Sequence, residues 1–293
     1  MGNRVPLTGK LFDWSNAVFL SLLMLVTVYP ILYVTFASLS DAATLSAHKG
    51  FLWKPLGFSL EAYQNVFRNP MILKGYMNTL IIVVGGLAIN ILLTAFGAYA
   101  LSRRSLQYRK AIMLFIVFTM FFNGGLIPFY FTVMNLGLGN SLWALIIPQA
   151  INTFNLIIMR TSFEAIPDSL EESAKIDGAN DFVILFRIIL PLSMPVVAVM
   201  LLYYGVSHWN AWFHAVIFLQ ERELYPLQLI LREILLQGEA SSMAEGATDD
   251  AAAMLSTTLK YATIMVATVP ILLAYPFLQK YFVKGALVGA VKG

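Results

Sequence analysis

The sequence predicts an all-α membrane protein with six transmembrane helices, and three observations carry that prediction. Apolar runs of about 20 residues, the length a helix needs to cross a bilayer, recur along the chain. Of the 293 residues 59% are hydrophobic and only 12% are charged, against about 25% charged in a soluble domain, and the mean hydropathy is +0.74. The basic residues are also sorted. With both ends in the cytoplasm, twelve of the nineteen Lys and Arg fall on inner segments and seven on outer ones, the bias expected of a polytopic protein.

The first span is read at residues 17–38, broken by Tyr29-Pro30, followed by a turn-rich, aromatic outer segment over 41–74. Span two covers 78–101, with Gly85, Gly86 and Gly97 as small positions for close helix contact. Span three covers 111–133, interrupted by Asn123-Gly124-Gly125 and Pro128, and span four covers 142–159 with Pro148, Asn152 and Asn155 inside it. Span five covers 182–206 with Pro191 and Pro195, and span six covers 261–282 with Pro270 and Pro276. The proline pairs should kink their helices. Between spans five and six, Leu227, Ile230, Leu231, Ile234 and Leu235 recur at helical spacing. The small, acidic run over 237–253 reads as a mobile loop.

Several chemistries are excluded. There is no cysteine, hence no disulfide, thiolate metal site or cysteine nucleophile. No GxxxxGK[ST] stretch is present to cradle phosphates, and a net charge of +3 is too small for a nucleic-acid surface. His48, His208 and His214 lack metal-ligand spacing. The N-terminal stretch is too polar for a cleavable signal peptide. No Asp, Glu, Lys or Arg lies mid-span, apart from Arg187 near the inner end of span five. Neutral asparagines do: Asn90, Asn123, Asn152, Asn155 and Asn210, the last beside Trp209. They either hydrogen-bond between helices or line a neutral polar path for a hydroxyl-rich solute.

The most polar island in the centre of the chain is IPDSLEESAKIDGANDFVILFRIILPLSMP, residues 166–195. Pro167 suits a helix's first turn, and Asp168, Glu171 and Glu172 place negative charge near its N-terminus. Leu170, Ala174 and Asp177 follow at helical spacing, and Gly178 sits where a left-handed stop is expected. Glu171 and Glu172 are adjacent on the helix and point apart. A second helix starts near Asp181 and enters the membrane.

This stretch resembles the EAA loop of permease subunits from binding-protein-dependent ABC importers. Glu172, Ala174, Gly178, Ile188, Leu190 and Pro191 match that signature with the full spacing kept, and Ser173 replaces its first alanine. The whole chain is similar to the carbohydrate-uptake class, that of the maltose importer's smaller membrane subunit, and within it to the oligosaccharide and polysaccharide branch. The residues carrying this are Tyr29-Pro30, the stretch over 119–128, the stretch over 155–160, Trp209-Asn210 and Pro226-Leu227-Gln228.

The resemblance implies a type I importer fold in a bacterial inner membrane, paired with a second permease, two ATPase subunits and an extracytoplasmic sugar-binding protein. ATP and Mg would be held by the ATPase and no cofactor by this chain, which would not be an enzyme. Alginate or a related uronide is the solute it suggests. Glu172, Ser173, Ala174, Asp177 and Gly178 would form the coupling helix against the ATPase. Asn123, Asn152, Asn155, Trp209 and Asn210 would line the sugar path, and Gln237, Glu239 and Glu245 would lie towards the binding protein. The chain then reads as a single transmembrane domain: tail, first span and outer loop over 1–73, permease core over 74–283, cytoplasmic tail over 284–293. A self-contained secondary carrier or channel is the alternative, but it would call for buried charges or an inverted repeat. An intramembrane enzyme would need a nucleophile or metal set at membrane depth.

Overall fold

The computed structural model describes residues 7–243, 257–274 and 276. No strand forms among them; the single bridge pairs Ser40 with Phe58. The described residues pack as two compact units, one holding residues 7–69, 231–243 and 257–268 and the other residues 70–230, 269–274 and 276.

In the first unit, α1 (Leu7–Ser38) is followed by α2 (Ala42–Ala47) and α3 (Glu61–Arg68). The break expected at Tyr29-Pro30 does not occur, and α1 runs straight through Pro30. A proline is tolerated there because a membrane helix can satisfy the freed carbonyl locally. The most apolar window of α1 buries nothing against the other described residues. The outer segment after it is compact, as its turn residues suggest. Asp41 caps α2 by accepting from Thr44 N, Leu52 N donates to Tyr29 Oη at 3.0 Å, and Leu56 N donates to Ser40 Oγ at 3.0 Å. These bonds hold Leu45 and Leu52 on Ala37, with Tyr33 and Tyr261 closing the cluster.

The second unit is built around α4 (Pro70–Ser102), which packs on α8 (Thr153–Glu164) and α12 (Met194–Trp209). It begins two turns before the apolar run expected from residue 78, because Pro70 needs no N–H partner at a helix start and Lys74 reaches Glu223 at 2.5 Å. Small residues let the neighbouring helices close in: Ala95 and Ala98 are fully buried, and a Cβ on Gly97 would touch Leu156 at 3.0 Å. A Cβ on Gly86 would lie 2.4 Å from His208 Nε2. The core then fills with Met159, Phe163, Ile184, Leu185, Ile189 and Met200.

Among the described residues three helices are long and apolar enough to cross a membrane: Leu11–Ser38, Pro70–Ser102 and α15 (Thr257–Ala274). The third and fifth expected spans are bent pairs. α5 (Arg109–Phe121) and α6 (Leu126–Asn135) meet at 114°, at the Asn123-Gly124-Gly125 interruption, where Asn123 Oδ1 accepts from Gly125 N and Gly125 has φ +87°. The fifth runs through α10 (Asp181–Ile184), a π-helical turn (Leu185–Ile189) and α11 (Leu190–Leu192), then turns by 87° into α12. Pro191 lacks the N–H that would bond back one turn, and its ring crowds the carbonyl of Arg187, which the wider π turn relieves. The fourth expected span is in pieces: α7 (Trp143–Ile146), a 3₁₀ turn (Ile147–Gln149) and α8, whose 12 residues reach roughly 18 Å. Beyond α12 come α13 (Phe213–Phe218) and α14 (Leu227–Met243). α14 continues as helix through residues read as the start of a mobile loop, and the rest of that run, with residues 277–293, lies outside the described residues.

Gly86→Ala should force α4 from His208 and cost about 1–3 kcal/mol, the usual range for overpacking. The check is thermal denaturation of the purified chain in detergent, and an unchanged midpoint would contradict the tight contact.

Candidate functional site

α9 (Asp168–Ile176) begins one residue after Pro167, which takes the N-cap position rather than the first turn. Asp168 and Glu171 lie in its first turn and Lys175 in its last, each sign at the end the helix dipole favours. Its stop is a two-bond C-cap. Gly178 N donates to Lys175 O at 3.0 Å and Ala179 N donates to Ala174 O at 2.9 Å, with Gly178 at φ +83°. That pattern demands a left-handed residue, hence glycine; a Cβ there would meet nothing within 4 Å, so the requirement is conformational. Asn180 then caps α10 through Val183 N at 2.9 Å.

The two faces of α9 differ. Glu171 and Ala174 are buried, whereas Glu172, Ser173, Asp177 and Gly178 are exposed and Ile176 is 86% exposed. Of the residues expected to meet an ATPase, therefore, Ala174 alone turns inward. Glu171, which points away from Glu172, is the anchor. Its carboxylate is paired with Arg103 at the end of α4 and with Lys175 Nζ at 2.8 Å. Tyr99 Oη lies 3.5 Å from Glu171 and 3.4 Å from Asp181, and the Arg103 guanidinium sits 4.9 Å over the Tyr99 ring. Burial works to raise the Glu171 pKa, but the Lys175 hydrogen bond and the Arg103 charge outweigh it and hold it below the usual carboxylate value. The bond to Glu171 pushes Lys175 up. The Glu171–Lys175 spacing of four was the signal available in the sequence.

The second element is a cleft of about 750 Å³ at the broken fourth span, lined by Gln149, Asn152, Asn155, Tyr203, Tyr204 and His208 among others. Pro148 opens the break, and Asn152 restarts the helix by accepting from Asn155 N at 3.2 Å. The carbonyls of Gln149 and Ala150 are taken by Asn90 Nδ2 at 2.7 and 2.9 Å, and the amide N of Asn152 donates to Tyr204 Oη at 3.0 Å. Tyr204 also bonds Thr94 on α4. With its amide nitrogen so committed, Asn90 can only accept through Oδ1, so His208 Nε2 carries the proton of their 2.7 Å bond. Among the described residues no Asp, Glu, Lys or Arg lines this cleft. Of the residues expected on a sugar path, Asn152 and Asn155 both line this cleft. The others are elsewhere: Asn123 lies at the α5–α6 bend, Asn210 caps α12 with Nδ2 on Val206 O, and Trp209 is buried near Tyr76. Gln237 and Glu239 fall on α14, and Glu245 lies outside the described residues.

A family model described as "Binding-protein-dependent transport system inner membrane component" matches residues 7–288. The chain is 44% identical over 290 residues to the polygalacturonan/rhamnogalacturonan transport system permease protein YtcP of Bacillus subtilis (strain 168), covering 97% of this chain and 99% of that one. It is 28% identical over 302 residues to the maltodextrin transport system permease protein MalD of Streptococcus pneumoniae, covering all of both chains. A chain in the crystal structure of a bacterial ABC transporter involved in importing the acidic polysaccharide alginate superposes with TM-score 0.85 at 32% identity. That match spans 96% of this chain and all of the other.

Replacing Glu171 by Gln leaves Arg103 short of its counter-charge and should cost about 3 kcal/mol near neutral pH. Because the folded pKa of Glu171 is depressed, its contribution is present above the unfolded value of 4.5 and is lost as pH falls through the folded one. Denaturant titrations of parent and variant should therefore converge in acid, and a gap that persists there would contradict the ion pair.

Proposed function

The chain belongs to the family of inner-membrane components of binding-protein-dependent transport systems, and from that premise we propose that it is one half of the translocation path of an ATP-driven importer for an acidic oligo- or polysaccharide. The family is one of transport permeases, and ATP hydrolysis belongs to a separate subunit. The acidic solute class is supported by two relatives, one named for polygalacturonan and rhamnogalacturonan and one for alginate, while a more distant one is named for maltodextrin. Polygalacturonan, rhamnogalacturonan and alginate are polymers containing uronic acid. In the proposed assembly a second permease completes the path, two ATPases bind ATP and Mg on the cytoplasmic side, and a binding protein delivers the sugar from outside. The chain lies in a bacterial inner membrane with both termini in the cytoplasm, and residues 237–245 lie on the side from which sugar arrives.

The observation that carries the mechanism is the two-faced α9. A nine-residue helix with a firm stop, buried through Glu171 and Ala174, presents Glu172, Ser173, Ile176 and Asp177 outward. Such an exposed isoleucine ringed by polar groups fits a groove on a partner. The ATPase moves this helix as a rigid piece when nucleotide closes it, and the membrane helices follow. In the cleft, the exposed side-chain amide of Asn152 offers a donor and an acceptor to sugar hydroxyls, beside Gln149, whose amide is bonded to His214 at 2.7 Å, and the buried Asn155. Phe154 and Tyr203, with ring centroids 6.5 Å apart, offer flat faces for pyranose rings.

Gly178→Asp places a side chain where φ is +83° and should abolish uptake of labelled oligogalacturonate while the chain stays in the membrane at parent levels. Uptake at the parent rate by that variant would remove α9 from the mechanism.

A further inference from the structure

The attachment of α9 to the membrane helices is narrow. Of its nine residues only Glu171 and Ala174 are buried, and Ala174 offers little more than a methyl group. The buried link that fixes α9 laterally is the Glu171 carboxylate on the Arg103 guanidinium, with side chains only 11% and 12% exposed; a second pair, Asp168 with Arg104 at 3.7 Å, is largely exposed and screened by solvent. Arg103 also bonds Ser102 Oγ through Nε and Phe163 O through Nη2, so it is held on the end of α4 and on α8.

From that end α4 is an unbroken helix. Nine residues back, roughly 13 Å along its axis, Thr94 bonds Tyr204, whose hydroxyl takes the amide N of Asn152. Thirteen residues back, roughly 20 Å, Asn90 holds the carbonyls of Gln149 and Ala150 and the ring of His208. Gln149, Asn152, Tyr204 and His208 all line the cleft. A single rigid element thus carries the anchor of α9 at one end and the polar frame of the cleft along its length.

We propose that the Arg103–Glu171 pair is a positioning latch that passes displacement of α9 along α4 to the cleft. It is the link by which the nucleotide state of the ATPase reaches the sugar site. The proposal rests on the coupling role of α9 stated above. Neutralising Glu171 leaves α9 able to dock yet unable to pull, so hydrolysis continues without opening the cleft. A merely structural pair would lower the amount of assembled importer and leave the ATP used per sugar unchanged.

The chain has no cysteine, so Ser207→Cys on the exposed part of the cleft wall gives one reporter thiol. Its labelling by a maleimide can be followed on this chain by mass in the complete importer, with and without ATP. With the native pair, labelling should change with nucleotide. With Glu171→Gln that change should vanish and ATP hydrolysed per sugar should rise about tenfold, within the range of allosteric coupling energies. The exchange Arg103→Glu with Glu171→Arg should restore both. A Glu171→Gln importer that keeps nucleotide-dependent labelling and the native ratio overturns the latch. If Glu171→Gln does not assemble, the exchanged pair decides: assembly with coupling supports the latch, and assembly without it overturns the latch. Ile176→Asp tests the underlying reading. Full ATPase retention and uptake in that variant overturns the role of α9 itself, whereas lost retention beside an indifferent Glu171→Gln overturns the latch alone.

Discussion

Inside a bilayer every backbone polar group must find a partner within the protein, and the break in the fourth span shows how much of this structure follows from that constraint. Pro148 ends one helical piece and Asn152 starts the next. The carbonyls and amide left between them would each cost several kcal/mol if orphaned in an apolar medium. Asn90 and Tyr204 meet them from α4 and α12, and each is fixed in turn by a further bond, to His208 and to Thr94. The cleft exists because a helix is interrupted, and the interruption persists because two neighbouring helices supply the missing bonds. The polar walls that suit a sugar are the same groups that make the break tolerable.

The end of the molecule that carries α9 follows a different rule. α9 lies on the protein and carries charge, so its position is set by electrostatics where packing offers only Ala174. Acidic residues at its start and Lys175 at its end agree with the helix dipole, Gly178 supplies the left-handed stop, and Arg103 holds the inward carboxylate. Both regions converge on α4. Its small residues admit α8 and α12, its polar residues frame the cleft, and its last turn leads into the anchor of α9.

Much of this was legible in the sequence where the cause is local. Run lengths located the apolar segments, Asn123-Gly124-Gly125 and the pair Pro191 and Pro195 located the two bends, and Gly178 located the end of α9. What was hidden depends on partners far along the chain. Glu171 and Glu172 look alike in sequence, and only the arrival of Arg103, 68 residues earlier, separates anchor from outward face. Pro148 was read as lying inside a continuous fourth span because nothing nearby reveals that Asn90 and Tyr204 stand ready for a full break. Asn90 proved to be an interhelical hydrogen-bonding residue, while Asn152 and Asn155 reached the cleft wall. The small-residue run after Gln237 has no apolar face to announce a helix, yet its alanine and polar residues extend α14 to Met243.

The most direct measurement is sugar uptake into proteoliposomes. This chain alone is compared with the same chain reconstituted together with the second permease, the ATPase and the ligand-loaded binding protein, each with and without ATP. The result expected is uptake by the complete assembly that stops when ATP is withheld, and none by the isolated chain. Uptake by the isolated chain without ATP would contradict the permease-subunit reading and make the protein a self-sufficient carrier.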